Sequence, residues 1–334
     1  MAGINVLNLP RPYKGFDQDV VIDCLMRGDM LGLRRDQKVS PAVAVSAALR
    51  GVIVPSVGKR FAIGDYSSIE PCCLFTLARQ WDAVETLRAK NNIYIEFGKS
   101  FYGRTLDKTK DVAAYTLCKG VILGAGYGLG EDNFVAKLQA EGVDLPEAEL
   151  RRAHGAYRVR FPGVKQLWDG IGEAAKQAVR CPGRWFAYND ITFLCDGYWM
   201  VITLPSGRNL HYPNARLQPG KYGDEVVYEG WTRLPDGRRG PWGDVRTWGA
   251  RTVENLCQAI CRDVMAEDEL EVEALPGWEM TMTVYDELVA EFPDALPPGD
   301  GIAMLLAIMN QPPAWLPTMP VSAAGFEATR YRKD

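Results

Sequence analysis

Residues 60–77 read RFAIGDYSSIEPCCLFTL, and the pattern of this stretch changes twice. Residues 60–64 form a short apolar run, typical of a β-strand, that ends at Asp65. Ser67 and Ser68 then predict a turn with a serine cap, and residues 69–77 are predicted to form a helix. The stretch therefore predicts a strand, a turn and a helix, with the Asp65 carboxylate at the end of the strand.

A second carboxylate lies at a predicted turn much later in the chain. Residues 280–292 read MTMTVYDELVAEF, in which two short runs of strand character surround Tyr285-Asp286-Glu287. This pattern predicts a hairpin with carboxylates at its tip. Antiparallel strands with segregated helices favour an α+β fold. Paired carboxylates can hold two divalent ions, although Asp and Glu are also common at turns for local reasons.

A helix over residues 111–124 is the third candidate element, with Asp111 as its N-cap. Along it, Tyr115, Lys119, Leu123 and Tyr127 recur at intervals of four residues, so they share one face while the helix persists. A lysine there can neutralise a triphosphate, and a tyrosine can lie against a base. The alternative is an ordinary amphipathic helix with a solvated lysine.

The rest of the chain gives weaker signals. Residues 254–269 predict another helix, and the Pro/Gly-rich residues 204–219 and 235–243 predict turns and loops. Residues 151–165 carry five basic side chains and no acidic one, which suits either a nucleic-acid contact or a solvated face. The sequence has no internal repeat.

Composition limits the classes of protein. The chain has 334 residues, 47% of them hydrophobic and 24% charged, and a net charge of −4, as in ordinary globular proteins. No apolar run is long enough to span a membrane and no signal peptide is evident, so we expect a cytoplasmic protein. Its eight cysteines lack paired CxxC spacing and it has only two histidines, which argues against a zinc site and for reduced, mostly buried thiols.

Three stretches together resemble motifs A, B and C of family A (polymerase-I-like) DNA polymerases, in the family's order. They are Asp65-Tyr66-Ser67-x-Ile69-Glu70, Lys119-x₇-Tyr127-Gly128 and Asp286-Glu287. The similarity extends over essentially the whole chain and is greatest to the phage-encoded type. Its further segments are Asn8-Leu9-Pro10-Arg11-Pro12, Leu204-Pro205-Ser206-Gly207-Arg208, residues 254–263 and Arg330-Tyr331-Arg332-Lys333.

The resemblance implies a metal site. Asp65 and Asp286 would hold two Mg²⁺ ions, for which Mn²⁺ can substitute. The Tyr66 carbonyl would be a further ligand, and Glu287 would lie beside them as a catalytic residue. The primer 3′-hydroxyl would attack the α-phosphate of a deoxynucleoside triphosphate, with the protein aligning the groups and stabilising charge.

The resemblance also implies nucleotide and DNA contacts. Lys119 would face the triphosphate and assist the leaving pyrophosphate as a general acid, Tyr127 would support the templating position, and Glu70 would be the steric gate against ribonucleotides. Tyr66, Tyr115 and Leu123 complete the predicted nucleotide site. Arg50, Gln258 and Tyr285 are the predicted contacts to primer–template DNA.

Two positions depart from the family pattern. Tyr115 stands where the family usually has an arginine for the triphosphate, and Tyr285 stands where motif C usually has a histidine. Neither tyrosine carries a positive charge, although both can form hydrogen bonds. The departures leave the metal-site residues in place and bear on triphosphate affinity and turnover.

The predicted architecture is a right-hand α+β fold with an antiparallel palm sheet and inserted helical fingers. Palm is predicted at 1–78 and 248–334 and fingers at 79–247, while the thumb and the exonuclease are expected to be absent or supplied by a separate polypeptide. The predicted function is template-directed DNA synthesis. The alternatives are a polymerase-fold nucleic-acid-binding subunit with weak or no activity and a metal-dependent nuclease, which would give no role to Lys119 and Tyr127.

Overall fold

The structure of the chain is a computed structural model that describes residues 9–10, 13, 15–220, 223–234 and 237–332. Its contacts divide the chain into two units. The first unit comprises Met1–Ser67, Met265–Gln311 and Ser322–Asp334, and the second comprises Ser68–Val264 and Pro312–Val321. The bounds predicted for palm and fingers stay a prediction. Asn8, Arg11, Pro12 and Lys333, which belong to the resemblance, lie outside the described residues.

The first unit is built on an antiparallel sheet in the strand order β11-β1-β10-β9. Its strands are β1 (Lys59–Tyr66), β9 (Glu279–Val284), β10 (Glu287–Pro293) and β11 (Ala323–Ala328). Phe61, Ile63, Val289 and Tyr331 are buried together against one region of this sheet. The sheet thus brings the two predicted carboxylate stretches onto neighbouring strands, because β1 pairs directly with β10.

Helices complete the first unit. They are α1 (Gln18–Arg27), α2 (Met30–Gln37), α3 (Pro41–Ala48), a 3₁₀ turn at Leu49–Val52 and α12 (Asp300–Met309). Side-chain oxygens of Asp17, Asp29 and Ser40 accept hydrogen bonds from the first turns of α1, α2 and α3, as good N-caps do. A Cβ atom at Gly64 would lie 2.4 Å from the Met309 sulfur, so α12 packs closely on β1.

The second unit begins with helices and continues with two small antiparallel sheets. Its helices are α4 (Ile69–Leu77), α5 (Trp81–Arg88), α6 (Ile93–Tyr102), α7 (Val112–Gly120), a π turn at Val121–Ala125, α8 (Glu131–Ala140), α9 (Glu147–Arg160) and α10 (Pro162–Arg180). The sheets are β2 (Phe186–Tyr188), β3 (Ile191–Cys195), β4 (Met200–Thr203) and β5 (Asn209–Tyr212), then β6 (Arg216–Gly220), β7 (Gly223–Arg233) and β8 (Arg239–Thr247). The long helix α11 (Gly249–Glu273) crosses the division between the units.

The main elements predicted from the sequence are confirmed. The strand, turn and helix of residues 60–77 are β1 and α4, the hairpin of residues 280–292 is β9 and β10, and α11 contains the helix predicted at 254–269. The α+β class with antiparallel sheets is therefore confirmed. All eight cysteines are free and all but Cys181 are buried, as expected.

Three local predictions are confirmed only in part. Ser68 stands before α4, but its side chain makes no capping hydrogen bond. Asp111 stands before α7 and likewise does not cap it, because its carboxylate binds Arg104 and the Asp107 N–H instead. The loops predicted at 204–219 and 235–243 in part form β5, β6 and β8, since antiparallel pairing tolerates Pro219 and Pro241 on the edge strands of the β6-β7-β8 sheet.

Candidate active site

The two predicted metal carboxylates lie at the ends of adjacent strands. Asp65 is the penultimate residue of β1. Its direct cross-strand partner in β10 is Glu287. One residue further, the Tyr66 N–H donates a 3.0 Å hydrogen bond to the Asp286 carbonyl oxygen. The structure therefore brings Asp65, Tyr66, Asp286 and Glu287 together through main-chain pairing, as the resemblance implies.

The tip of the β9–β10 hairpin has an unusual backbone. Val284 pairs with Glu287, so Tyr285 and Asp286 form a two-residue turn. Tyr285 has a φ of 60°, a left-handed conformation that is uncommon for a residue other than glycine. Its side chain is 70% exposed. The turn thus places Asp286 beside β1 and leaves the Tyr285 ring accessible, as its predicted contact with DNA requires.

Glu287 lies in a different environment from the two aspartates. It is only 2% exposed, and its Oε1 accepts a 2.6 Å hydrogen bond from the Tyr331 hydroxyl. The Tyr331 oxygen in turn accepts a 3.2 Å hydrogen bond from Arg50. Burial and the neighbouring Glu287 carboxylate raise the pKa of Tyr331, so the hydroxyl stays protonated and donates to the carboxylate. The Glu287 carboxylate is therefore held in place by side chains in the interior of the first unit.

Arg50, predicted to contact DNA, is also buried. It is 4% exposed and donates to the carbonyl oxygens of Leu9 at 2.8 Å and Pro10 at 3.4 Å, as well as to Tyr331. These contacts fasten the segment of the Asn-Leu-Pro motif to the carboxylate network. Its contact with DNA stays a prediction, and every contact described for it is with the chain itself.

Tyr66 is anchored by its side chain. The ring is buried, and its hydroxyl donates to the Asp268 carboxylate of α11. Burial, and secondarily the nearby Glu271, raise the pKa of Asp268 to about 7. Sequence reasoning missed Asp268, because it lies in an acidic stretch of α11 in which no spacing distinguishes it. The anchor fixes the Tyr66 main chain, whose carbonyl is a predicted metal ligand.

The donor set suits magnesium better than a transition metal. Within the part of the chain that the structure describes, no group of three or more His, Cys, Asp or Glu side chains could hold an ion. Mg²⁺ usually takes one or two carboxylates and completes its octahedron with water and substrate phosphates. Asp65 and Asp286 with the Tyr66 carbonyl fit that requirement. One oxygen of Glu287 is already occupied by Tyr331.

In the second unit, Glu70 lies among tyrosines. Burial raises the pKa of both Tyr94 and Tyr127, and the negative charge of Glu70 adds to each shift. The Tyr127 hydroxyl is buried and has no hydrogen-bond partner among the described residues. An unsatisfied buried hydroxyl is costly in a folded protein and is a candidate for contact with a ligand. Sequence reasoning missed Tyr94, which has no spacing relation to Tyr127.

The helix that carries Tyr115 and Lys119 extends over the predicted residues, but its pitch changes after α7. After Gly120 the chain widens into the π turn, so the spacing of four residues that would align Leu123 and Tyr127 with Lys119 is interrupted. Such π turns are frequent at functional sites. Lys119 is exposed at the end of α7 and makes no ion pair with any described residue. Leu123 is half-buried, and Gln258 is exposed on α11.

The basic segment at residues 151–165 is largely neutralised. Arg151 pairs with Glu131, Asp132 and Glu147, and Lys165 pairs with Asp169. Arg160 pairs with Asp82 and Arg152 lies over the Phe101 ring. Of the two interpretations of this segment, its contacts favour a solvated face.

No family model matches the chain. Over 334 residues the chain is 28% identical to a DNA polymerase of Bacillus phage SP02, a match that covers 99% of this chain and 50% of the phage protein. The chain resembles the phage polymerase I-like DNA polymerases. The resemblance inferred from motifs A, B and C is thus confirmed.

The fold of the chain agrees with a solved polymerase domain. The POL domain of Pol1 from M. smegmatis, solved in complex with DNA primer-template and dNTP, matches with a TM-score of 0.55 and 14% identity. The match covers 97% of this chain and 58% of that one. The chain spans about half the length of the phage relative. None of the described helices combines the length and the apolar composition of a membrane span.

Tyr115, which departs from the family pattern, contacts one polar and one positively charged side chain. The Tyr115 hydroxyl accepts a 3.1 Å hydrogen bond from Asn92, and the Lys108 ammonium lies 5.4 Å from the centre of the Tyr115 ring. Lys108 thus brings a positive charge close to a position where the family usually has an arginine. The spacing of Lys108 from motif B gave no signal of this contact.

Proposed function

We propose that this chain is the catalytic portion of a template-directed DNA polymerase, which adds deoxynucleotides to a primer 3′-hydroxyl. The observation that carries the proposal is the main-chain bond between Tyr66 and Asp286, with Asp65 opposite Glu287 in the same pair of strands. This pairing supports one carboxylate centre built from motifs A and C. A nucleic-acid-binding remnant has no physical need for such a centre.

The proposed mechanism uses residues of the first unit to hold the reacting groups. Asp65, Asp286 and the Tyr66 carbonyl would hold two Mg²⁺ ions, with Mn²⁺ as a substitute, and these ions would supply Lewis-acid stabilisation of the phosphoryl oxygens. The Tyr66 anchor on Asp268 and the Tyr331 bond to Glu287 keep this end of the sheet rigid. Catalysis of phosphoryl transfer depends mainly on such positioning and on charge stabilisation.

Residues of the second unit are proposed to select the nucleotide. Lys119, which is exposed and makes no ion pair with a described residue, would bind the triphosphate and donate a proton to the leaving pyrophosphate. Glu70 would crowd the sugar 2′ position, and the Tyr127 hydroxyl would find its missing partner in the bound substrates or in a closed conformation. Tyr115, with Lys108 beside it, would complete the triphosphate contact.

Primer–template DNA and deoxynucleoside triphosphates are the proposed partners, and the host cytoplasm is the proposed location. Gln258 and Tyr285 are exposed and are the proposed DNA contacts. A separate thumb or exonuclease polypeptide stays a prediction.

Primer extension with Mg²⁺ tests the proposal. Asp65→Asn and Asp286→Asn should each abolish extension, while Asp19→Asn, at an exposed position of the same unit, should leave it unchanged. Extension by either active-site variant at the wild-type rate would contradict the assignment. A wild-type protein that binds primer–template but does not extend it, alone or with a supplied thumb polypeptide, would favour the nucleic-acid-binding subunit. Shortening of the primer that needs no nucleotide would favour the nuclease.

A further inference from the structure

The hairpin of β7 and β8 exposes two indole rings side by side. Trp231 and Trp242 are direct cross-strand partners, and each is 52% exposed. Their ring centres lie 5.4 Å apart with the planes at 88°, an edge-to-face contact. Such a pair stabilises a hairpin, but it also presents a large aromatic surface to solvent. We use the term aromatic hairpin for the described residues 230–234 and 237–243, which carry this pair.

Arginines surround the indoles. The Arg239 guanidinium lies 3.4 Å from the centre of the Trp231 ring, and Arg239 is the direct cross-strand partner of Arg233. Like charges in that arrangement destabilise a sheet. Among the residues that the structure describes, neither arginine has an ion-pair partner. Arg233 and Arg239 therefore place two like charges opposite each other in the described part of the hairpin, which favours an anionic ligand there.

The acidic residues nearer the base of the same strands are already satisfied. Asp244 pairs with Arg216, Glu225 pairs with Arg246 at 3.1 Å, and Glu229 accepts a 2.8 Å hydrogen bond from Asn214. The charges of Asp244 and Glu225 are consequently offset within the sheet, and the Glu229 carboxylate is hydrogen-bonded. In the sequence, residues 230–243 carry three arginines, at positions 233, 238 and 239, against one acidic residue, Asp236, so this segment is net basic in a chain whose net charge is −4.

We propose that the aromatic hairpin is a binding site for single-stranded DNA. Bases stack on the Trp231–Trp242 pair and on the outer face of the Arg239 guanidinium, while Arg233 and Arg239 contact the phosphates. Sites for single strands combine these two features, because every unpaired base offers a ring face and every linkage carries a charge. A duplex offers its charges but not its ring faces, so the indoles favour the single strand.

A protein partner is the less suitable occupant. Tryptophan and arginine are common in protein interfaces, but there they usually fill pockets among other apolar side chains. Among the described residues of the aromatic hairpin, the two indoles are accompanied by glycine, threonine, proline and arginine, with Leu234 as the exposed aliphatic residue. The inference does not rest on the proposed polymerase activity, because it uses only the hairpin's own chemistry.

Equilibrium binding of the full chain to a fluorescent oligo(dT) of about 20 nucleotides, without nucleotide or metal, tests the proposal. Trp231→Ala and Trp242→Ala should each weaken binding about tenfold, since one stacked base contributes roughly that factor. Arg239→Lys keeps the charge but loses the planar group, and it should still weaken binding several-fold. Trp81→Ala is the matched control, because Trp81 is similarly exposed at the start of α5.

The remaining variants separate stacking from folding. Trp231→Phe and Trp242→Phe keep a ring and should retain most of the affinity even if the alanine variants disturb the hairpin. Unchanged oligo(dT) affinity in the alanine variants would overturn the proposal, and so would an equal loss of affinity for blunt duplex DNA. A change in sedimentation without DNA would instead identify a surface for self-association and would also overturn it. Loss of primer extension in the wild type would not affect this test.

Discussion

The N–H of Tyr66 donates a 3.0 Å hydrogen bond to the carbonyl oxygen of Asp286, and this bond joins two stretches that are far apart in the sequence. Because it is a main-chain bond in an antiparallel sheet, it does not depend on either carboxylate. Replacing Asp65 or Asp286 by asparagine therefore leaves the strand pairing in place. Loss of activity in such variants reports on chemistry rather than on folding.

The hydroxyl of Tyr331 should matter for catalysis although it lies in the interior. Tyr331→Phe removes the 2.6 Å bond to Glu287, whose cross-strand partner is Asp65. We expect a loss of about 1 to 3 kcal/mol in the free energy of unfolding, because a buried carboxylate loses a charge-assisted hydrogen bond. We also expect the extension rate to fall about tenfold while primer–template affinity is kept, as for other residues that position a metal site.

A matched loss of a tyrosine hydroxyl controls for stability. Tyr13→Phe removes a 2.7 Å bond to Gln37 in the same unit, away from Glu287. Its extension rate should stay at the wild-type value in steady-state kinetics and in Mg²⁺ titrations. If both variants slow extension equally, Tyr331 has no positioning role beyond stability.

Selection against ribonucleotides should depend on the size of Glu70. Glu70→Ala opens space, and we expect incorporation of ribonucleotides relative to deoxynucleotides to rise about tenfold, a typical effect of removing a group that excludes a substrate. Glu70→Gln keeps the volume and should keep most of the exclusion. Competition between the two nucleotide types on one template measures the ratio. Equal ratios in the wild type and Glu70→Ala would mean that selectivity lies in another residue.

The sequence predicted the parts of the site that depend on local pattern. Alternation and turn residues were enough for β1 and for the β9–β10 hairpin, so Asp65 and Asp286 were correctly placed at strand ends. The sequence could not predict which side chains are buried by residues far away in the chain. Glu287 and Arg50 face inward because Tyr331, near the end of the chain, lies between them, and no periodicity reveals such a contact. The π turn after α7 also escaped prediction, since a single widened turn leaves the apolar pattern nearly unchanged.

The start of α7 should loosen in acid. Arg104 binds Asp111 through two hydrogen bonds of 2.7 and 2.8 Å, and the Asp107 N–H adds a third. These bonds, that of Arg104 first, hold the pKa of Asp111 well below its usual range. A lowered pKa stabilises the fold above the unfolded value of about 3.9, and this contribution is lost as the pH falls below it.

Chemical denaturation at pH 7 and at a pH near 3 checks the direction of this pH dependence. Asp111→Asn should be less stable than the wild type at pH 7. The difference between the two in free energy of unfolding, called the gap below, should shrink as the pH approaches 3. Asp144→Asn, at an exposed position of the same unit, should show no such change in its gap. A gap that is constant or grows in acid would rule out ionised Asp111 as the anchor of α7.

Gly128, which follows Tyr127 in motif B, should be intolerant of any side chain for two separable reasons. Its φ is 75°, and a Cβ atom would lie 2.6 Å from the Ala250 Cβ in α11. Gly128→Ala therefore costs about 1 to 2 kcal/mol in left-handed strain and a further amount from the contact. Ala250→Gly alone should cost up to about 1 kcal/mol, because glycine disfavours a helix.

The double variant separates the strain from the contact. With Ala250 replaced by glycine, the Cβ at position 128 has room, so Gly128→Ala should then cost only the backbone strain. Urea denaturation of the four proteins should give a favourable coupling of about 1 kcal/mol or more, which is the size expected for residues in direct contact. Extension should recover partly in the double variant, since Tyr127 returns towards its original position. Additive losses in stability would show that Ala250 does not limit position 128 and that only the backbone conformation requires glycine there.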